Sequence, residues 1–290
     1  MDFTSGAALT AYCETEGCTI YEAMLQRETE QTGLTREEIT AKLAASFKIM
    51  KTAVHRALTE NLSSMGGLLG GEAQALMAHS ANTAPVCGQV SARAVAYAMG
   101  VLEVNSSMGL IVAAPTAGSS GVIPGVFIAV QEEFNFNDEQ MLNALLCSSA
   151  VGYIFMRNAT VAGAEGGCQA EVGVASAMAA AAITELMGGS PEASLSAAAM
   201  AISNLLGLVC DPVAGLVEVP CQTRNAVGAS NALICAEIAL AGVKNVIPFD
   251  EMVEAMYNVG KSLPLSLRET AQGGCAATPT GCAICKRIFE

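Results

Sequence analysis

Apolar residues recur at intervals of three and four over long parts of this chain, which is the spacing of one face of an α-helix. Two Thr-x-x-Glu pairs, Thr19 with Glu22 and Thr35 with Glu38, are typical of helix N-termini closed by a capping box. Gly33 marks an end for the first of these helices. The clearest apolar stripe follows the second pair and consists of Ile39, Leu43, Phe47, Met50, Val54 and Leu58.

Later parts of the chain carry the same kind of signal. Further helix starts are predicted at Asn137 with Gln140, at Ser190 with Pro191, and at Asp250 as a cap. The helix from Ser190 is expected to reach about Val209, and the run 169–187 is also expected to be helical. Strand signals are scarce, because the apolar run 122–130 fits either a strand or a buried helix. The pattern therefore predicts a mainly or wholly α fold.

Composition supports closely packed helices in one domain. The chain has 290 residues, 52% of them hydrophobic but only 4% aromatic, with 28 Gly and no Trp. Small apolar residues suit helices in close contact better than a β-sandwich, which favours β-branched and aromatic side chains. No linker divides the sequence. We therefore expect a single compact helical catalytic domain over residues 1–290, ending in a cysteine-containing tail at 275–290.

Hydropathy and charge exclude several classes of function. The mean hydropathy of +0.44 raises a membrane alternative. However, the charge-free stretches 104–131 and 193–210 are interrupted by Asn, Ser, Thr or Pro, unlike a span of about 20 apolar residues. A net charge of −13 argues against nucleic acid, whose phosphates require clustered Lys and Arg. We expect neither a membrane nor a nucleic-acid partner.

Cysteine usage points to a reducing compartment. The chain holds 11 Cys, and its first residues lack the basic charge that precedes a secretory apolar region. Thiols stay free in the cytoplasm, where they serve metal binding or catalysis. We therefore expect a cytoplasmic protein.

Three of these cysteines stand in distinctive Gly- or Pro-rich surroundings. Cys168 follows Gly-Gly, Cys210 opens Cys-Asp-Pro, and Cys221 follows Pro220 in a turn-rich connection. Their separations of 42 and 11 residues are unlike a ferredoxin run, so spacing alone leaves inert buried cysteines as an alternative. Cys168 is expected near a helix N-terminus, where the thiolate is favoured. Three thiolates could hold a [4Fe–4S] cluster and leave one iron free.

The sequences around these cysteines, in this order, resemble the alpha subunit of the bacterial iron–sulfur-dependent L-serine dehydratases. Further matching stretches lie at 114–125, 224–232 and 268–274, and the resemblance runs from about residue 20 to about 281. It implies that Cys168, Cys210 and Cys221 bind a [4Fe–4S] cluster whose open iron acts as a Lewis acid. It also implies β-elimination from L-serine to pyruvate and ammonia, with no pyridoxal phosphate.

The same resemblance implies a separately encoded beta subunit, because single-chain members of the family are longer and fuse a second domain. The chain is therefore expected to be incomplete alone, with its active site near the joint. A higher oligomer is also expected.

Several residues near the matched motifs are candidates for substrate binding. Thr116, Gly118 and Ser119 lie in a turn that lacks the P-loop Lys-Ser/Thr ending, so it is either a substrate-facing or a purely structural turn. Arg224 and Asn225 follow Cys221 closely. Arg224 could bind a substrate carboxylate through its two-pronged guanidinium or pair with an acidic neighbour.

The general base is not identified by the sequence. Lys48, Lys51, His55 and His79 are candidates by chemistry only. The first three lie on a helix whose polar face would carry such residues in any case. The alternatives are a solvated structural role for these side chains and a base supplied by the beta subunit.

The remaining cysteines have weaker signals. Cys147 and Cys235 lie in apolar helical runs and are expected in the core, while Cys13, Cys18 and Cys87 are interpreted as structural. The tail holds Cys275, Cys282 and Cys285, and the last two form a C-x-x-C pair without a second pair to complete a zinc site. The resembling family often has Leu where Cys275 stands, which adds a thiol that could reach an open iron.

Two other functions compete with the serine dehydratase interpretation. The first is a sister lyase with the same cluster that acts on L-cysteine or another β-substituted amino acid. The second is a helical interaction protein whose cysteines pack in the core or bind a structural zinc.

Overall fold

The computed structural model describes residues 2–290, and within this range the chain forms thirteen α-helices and no strand, only an isolated bridge between Cys210 and Arg268. The predicted mainly α fold is confirmed. The helices are α1 (Gly6–Glu16), α2 (Ile20–Thr32), α3 (Arg36–Thr59), α4 (Glu72–Asn82), α5 (Gln89–Ser106), α6 (Val122–Phe134), α7 (Asp138–Asn158), α8 (Gly163–Gly166), α9 (Val174–Leu186), α10 (Pro191–Asn204), α11 (Cys221–Leu240), α12 (Phe249–Ser262) and α13 (Pro279–Phe289).

The local start signals act as the sequence predicts. Both Thr-x-x-Glu pairs form reciprocal capping boxes at α2 and α3, and α2 ends at Gly33 in the left-handed conformation. Asn137 and Gln140 form a third box at α7. Ser190 caps α10 with Pro191 as its first residue. Each signal works because a side chain satisfies backbone N–H groups that have no partner inside the helix.

Helix α9 lies at the centre of the molecule. Every residue from Val174 to Thr184 is buried, and the helix packs against α6, α7, α10 and α11. Six of these eleven residues are Ala, so neighbouring backbones can approach from all sides. The predicted run 169–187 is confirmed as helical, although its first turn, Gln169–Gly173, is wound as a π-helix.

Glycines allow close contact between α5 and α6. A Cβ atom at Gly125 would lie 2.7 Å from the carbonyl oxygen of Ala94, and one at Gly121 would lie even closer to that of Ala98. No larger residue fits either position without moving a backbone. The segment 122–130, which fits strand or helix by pattern, is therefore held as helix α6 against α5.

Two expectations about the elements in this part of the chain are corrected, and one helix was not predicted. Helix α10 ends at Asn204, not near Val209, because the chain turns out through Gly207 in a left-handed conformation. Cys221 is the first residue of helix α11 and does not lie in a turn-rich connection. The sequence signals also missed α1, which precedes the first predicted helix.

Asp250 does not cap its own helix. It lies inside α12, and its carboxylate accepts hydrogen bonds from the backbone N–H groups of Gly6 at 2.6 Å and Ala7 at 2.9 Å. It thus closes the N-terminus of α1, which is 243 or more residues away in sequence.

None of the helices between Asp2 and Glu290 is both long and apolar enough to cross a membrane.

Candidate functional site

Two of the three distinctive cysteines begin helical segments. Cys168 immediately precedes the π-helical turn that leads into α9, and Gly167 before it has a φ of 75°. Cys221 is the first residue of α11, after Pro220. Both side chains are buried, with 3% and 8% of their surface exposed. The predicted position of Cys168 at a helix N-terminus is confirmed.

Cys210 is fixed by a different device, a short extended pairing with the segment after α12. Its backbone N–H donates to the carbonyl oxygen of Leu267 at 2.9 Å, and its carbonyl oxygen accepts from the N–H of Glu269 at 2.7 Å. This pairing joins residues about sixty positions apart and presents a thiol that is only 4% exposed.

The three thiols converge. The pKa of Cys210 is raised by burial and then by the nearby charges of Cys168, Glu171, Glu269 and Cys221. The pKa of Cys168 is raised to about 12, with burial, Glu171 and Cys221 as the main causes. The contacts agree with this, because Cys210 Sγ lies 3.9 Å from the carboxylate of Glu171, three residues after Cys168. Thr116 donates to the same carboxylate, and Asn225 connects the turn after Thr116 to Cys221.

The expected preference for thiolate is wrong for the metal-free protein. Burial also raises the pKa of Cys221 to about 12, and the charge of Glu171 adds to the effect. Desolvation and a neighbouring carboxylate therefore outweigh the helix dipole. The three cysteines are therefore protonated at neutral pH.

Glu171 is a site residue that the sequence analysis missed. Its charge contributes to the raised pKa of all three thiols, and burial raises its own pKa. Its Oε1 accepts a hydrogen bond from Thr116 Oγ1 at 2.8 Å, and its Oε2 accepts one from Cys210 Sγ at 3.9 Å. The available signal was its position three residues after Cys168, which places it on the same turn of helix.

The turn containing Thr116, Gly118 and Ser119 is part of this site. Asn225 is completely buried, and its Nδ2 donates to the carbonyl oxygens of Gly118 at 2.8 Å and Cys221 at 2.9 Å. Its Oδ1 accepts from the N–H of Gly121 at 3.0 Å. Asn225 therefore fixes the turn to the start of α11, while the hydroxyl of Thr116 connects it to Glu171.

Arg224 pairs with an acidic neighbour, one of the two roles that its sequence position predicts. Its Nη1 lies 2.7 Å from Asp211 Oδ1 and donates to the carbonyl oxygen of Val209 at 2.7 Å. The Asp211 side chain is almost fully buried, and its Oδ2 accepts from the N–H of Cys275 at 2.6 Å. The charge of Arg224 lowers the pKa of Cys168 and Cys221. The first residue of the C-terminal tail thus reaches the edge of the site.

The candidate bases are on helices α3 and α4. Lys48 and His55 are exposed on α3, which packs against α5, α6 and α7, and Lys51 on the same helix pairs with Asp138. His79 is exposed on α4. In the described part of the chain, no hydrogen bond or ion pair connects these side chains to the three thiols.

The other cysteines are not part of the convergence. Cys147 and Cys235 are fully buried in α7 and α11, as expected for core residues. Cys13 is also buried, Cys18 is half-buried and Cys87 is exposed. Cys282 and Cys285 lie on α13, where Cys282 is exposed and Cys285 half-buried.

Within residues 2–290 the thiols do not form a site for a single metal ion. Among residues 2–290, no three His, Cys, Asp or Glu side chains lie close enough together to hold a single metal ion. A zinc ion needs its ligands within about 2.3 Å of one centre. In a four-iron cluster each thiolate binds a different iron, so the ligand sulfurs stand farther apart.

The walls beside the thiols are lined by glycine. A Cβ atom at Gly163 would lie 2.5 Å from Glu171 Oε2 and 3.2 Å from Cys210 Sγ. One at Gly118 would lie 3.1 Å from Glu171 Oε1. Three buried thiols are the donor type that an iron–sulfur cluster takes, and glycine leaves only backbone beside Cys210 and Glu171.

Comparison with known sequences assigns the chain to a family. The sequence pattern of the serine dehydratase alpha chain matches residues 15–276. The chain belongs to the serine dehydratase alpha chain family. It is 50% identical over 270 residues to a probable L-serine dehydratase alpha chain of Bacillus subtilis, covering 93% of this chain and 90% of the relative. It is 46% identical to the L-serine dehydratase alpha chain of Peptoniphilus asaccharolyticus, covering 93% and 92%.

A longer member of the serine dehydratase family shows a different chain organisation. L-serine dehydratase 2 of Escherichia coli is 35% identical over 292 residues, which cover 97% of this chain but 62% of the relative. The alpha-chain region is therefore one part of that longer polypeptide.

Proposed function

We propose that this chain is the alpha subunit of an L-serine dehydratase, a lyase that converts L-serine to pyruvate and ammonia. Family membership and the names of relatives at 46–50% identity support the reaction. The observation that carries the proposal is the convergence of three buried thiols on one glycine-walled site. Helix packing by itself gives no reason for cysteines from three distant segments to lie so close that the charge of one raises the pKa of another.

We propose that Cys168, Cys210 and Cys221 hold a [4Fe–4S] cluster there. When bound, a cluster with three protein ligands supplies an open iron that polarises substrate oxygen as a Lewis acid. The protein itself buries the thiols, each of which is less than 9% exposed. This burial excludes water from them. Arg224 places a positive charge beside two of the thiols.

The turn from Thr116 to Ser119 is proposed to contact the substrate. Of its polar side chains, Thr116 is half-buried and faces Glu171, whereas Ser119 is fully buried and hydrogen-bonded back to Thr116. Ser119 therefore maintains the shape of the turn, and Thr116 and Gly118 form the side of the turn that faces Glu171. Asn225 holds this surface against the start of α11.

A separately encoded beta subunit is part of the proposal. The relatives that match over 90% and 92% of their own length are named alpha chains, whereas the longer Escherichia coli relative has a further region beyond the match. The tail from residue 275 docks on Asp211 and belongs to the same catalytic domain in this proposal. The eleven free cysteines fit a reducing cytoplasm, where we place the complex.

Anaerobic reconstitution with iron and sulfide, followed by a pyruvate assay with L-serine, tests the function. We expect brown protein with about four irons per chain, and pyruvate and ammonia in the presence of the beta partner. Air should inactivate the enzyme, and iron with reductant should restore it. Sulfide release from L-cysteine without turnover of L-serine would instead show the sister lyase. Colourless protein or bound zinc would contradict the cluster.

A further inference from the structure

Glu171 has one carboxylate oxygen with a strong donor and one without. Its Oε1 accepts from Thr116 Oγ1 at 2.8 Å. The only hydrogen bond to Oε2 within residues 2–290 comes from Cys210 Sγ at 3.9 Å, and a thiol is a weak donor. An ionised carboxylate has room for about four hydrogen bonds, so Oε2 can accept from a further donor.

The neighbouring acidic side chains are less suited to take part in substrate binding. Asp211 uses Oδ2 for the N–H of Cys275 and Oδ1 for its ion pair with Arg224, and only 2% of its surface is exposed. Glu269 is exposed and is held through its backbone. Glu171 is half-buried, and its charge acts on all three thiols. It is therefore the carboxylate that a small substrate at the thiols would meet.

Gly163 and Gly118 let the backbone pack directly against this carboxylate. A methyl group at Gly163 would collide with Oε2, and one at Gly118 would press on Oε1. The two glycines flank the carboxylate on both sides, and Thr116 fixes its rotation. Such an arrangement presents Oε2 in a defined direction, as recognition of a small cation requires.

We infer that Glu171 binds the α-ammonium group of the substrate amino acid. This inference rests on the proposed function, in which the substrate oxygens are bound by the cluster. L-serine carries two kinds of oxygen group and one cation, and the cation needs an anionic partner inside a site of low polarity. Glu171 then selects amino acids over hydroxy acids of the same shape.

Glu171→Gln in the reconstituted complex tests this role. A charge-assisted hydrogen bond to the ammonium becomes a neutral one, so KM for L-serine should rise about 10- to 100-fold. The value of kcat should change much less. The dissociation constant of 3-hydroxypropanoate, which is L-serine without the amino group, should stay within about twofold. It is read from the change that the ligand produces in the cluster absorbance, which does not depend on turnover.

Glu165→Gln is the matched control. It removes one negative charge from the same segment, but its carboxylate is bonded to Thr160 Oγ1 at 2.6 Å instead of facing the thiols. It should leave the KM for L-serine near the wild-type value. If Glu171→Gln does not load a cluster, Glu171→Asp is used instead, because it retains the charge on a shorter side chain. It should also weaken the binding of L-serine more than the binding of 3-hydroxypropanoate.

Two results would overturn the inference. One is an equal loss of affinity for both ligands, which would show that Glu171 only holds the Thr116 turn. The other is a large fall in kcat with an unchanged KM. A wild-type complex that carries a cluster but releases no pyruvate from L-serine would instead refute the proposed function. That result comes from the wild type alone, so it is distinguishable from a failure of the inference about Glu171.

Discussion

At the scale of single residues, the site depends on what burial does to three thiols and one carboxylate. In the metal-free protein burial raises the pKa of Cys168, Cys210 and Cys221, and Glu171 raises it further. In the proposed cluster this preference would be reversed, because a metal-bound cysteine is a thiolate. Arg224 acts in the opposite direction to burial and lowers the pKa of Cys168 and Cys221.

Cys221→Ala is expected to abolish cluster absorbance and turnover together, because each of the three thiols would bind one iron. The matched control is Cys235→Ala on the same helix, α11. Cys235 is fully buried and contacts Asn204 and Asn231. Its loss should cost stability only, on the order of 1 kcal/mol. A Cys221→Ala protein with a full cluster and normal activity would redirect attention to Cys275, Cys282 and Cys285.

The metal-free protein should lose stability as the pH rises above about 9. The folded pKa of Cys221 is about 12, above the value of 9.0 for a free thiol. Folded Cys221 thus retains a proton that the unfolded chain releases, so its contribution is complete below pH 9 and declines up to about pH 12. At pH 10 the lost stability amounts to about 1.4 kcal/mol for one such thiol.

Urea unfolding of metal-free wild type and metal-free Cys221→Ala at pH 8 and pH 10 measures this effect. The difference in the free energy of unfolding between the two pH values should be smaller for the variant. Equal pH dependence in the two proteins would show that the thiol of Cys221 has an ordinary pKa.

At the scale of elements, the fold uses carboxylates from distant segments to close exposed helix ends. Asp250 of α12 caps α1, and Glu185 of α9 accepts from the N–H groups of Ile20 at 2.6 Å and Tyr21 at 3.1 Å at the start of α2. These contacts join elements far apart in sequence. They fix the N-terminal helices to the core that also carries the thiols.

Asp250→Ala is expected to lower the free energy of unfolding by about 1–2 kcal/mol, the cost of removing a helix cap. Two backbone N–H groups of α1 would lose their acceptor, and the helix dipole would lose a favourable charge. Glu251→Ala is the control, since Glu251 is an exposed neighbour on the same helix. Both variants are compared by urea unfolding, and equal stability would mean that Asp250 contributes nothing as a cap.

At the scale of the whole molecule, the site lies where five separate parts of the chain meet. The Thr116 turn, the start of α9, the segment at Cys210, the start of α11 and the segment 267–275 are held together by hydrogen bonds between distant residues. The exposed Glu269 and the half-buried Thr116 show that this junction reaches the surface. A partner subunit could therefore complete the site from outside.

The proposed beta subunit should raise the activity of the reconstituted alpha chain. Purified alpha chain is assayed for pyruvate release with and without an equimolar beta chain, at matched iron content. We expect at least about tenfold higher turnover with the partner, which corresponds to about 1.4 kcal/mol of transition-state stabilisation. Equal activity with and without the partner would contradict a role for the beta chain at the site.

The sequence by itself determines the features that act within a few residues. The capping boxes at Thr19, Thr35 and Asn137 and the Ser190–Pro191 start depend on contacts within one helical turn, so their patterns correctly predict α2, α3, α7 and α10. The motifs around Cys168, Cys210 and Cys221 are also local, so the sequence alone singles out these three thiols as candidates.

Only the tertiary structure decides which residues surround those thiols. Glu171 meets Thr116 across 55 positions, and Asn225 meets Gly118 across 107. The sequence predicts Asp250 as a cap for its own helix, but its carboxylate oxygens accept hydrogen bonds from the first backbone N–H groups of α1. The raised pKa of the thiols also follows from burial that no local pattern reports. The physical reason is the same in each case: desolvation and charge depend on which segments pack together, and packing joins residues whose separation in sequence carries no signal.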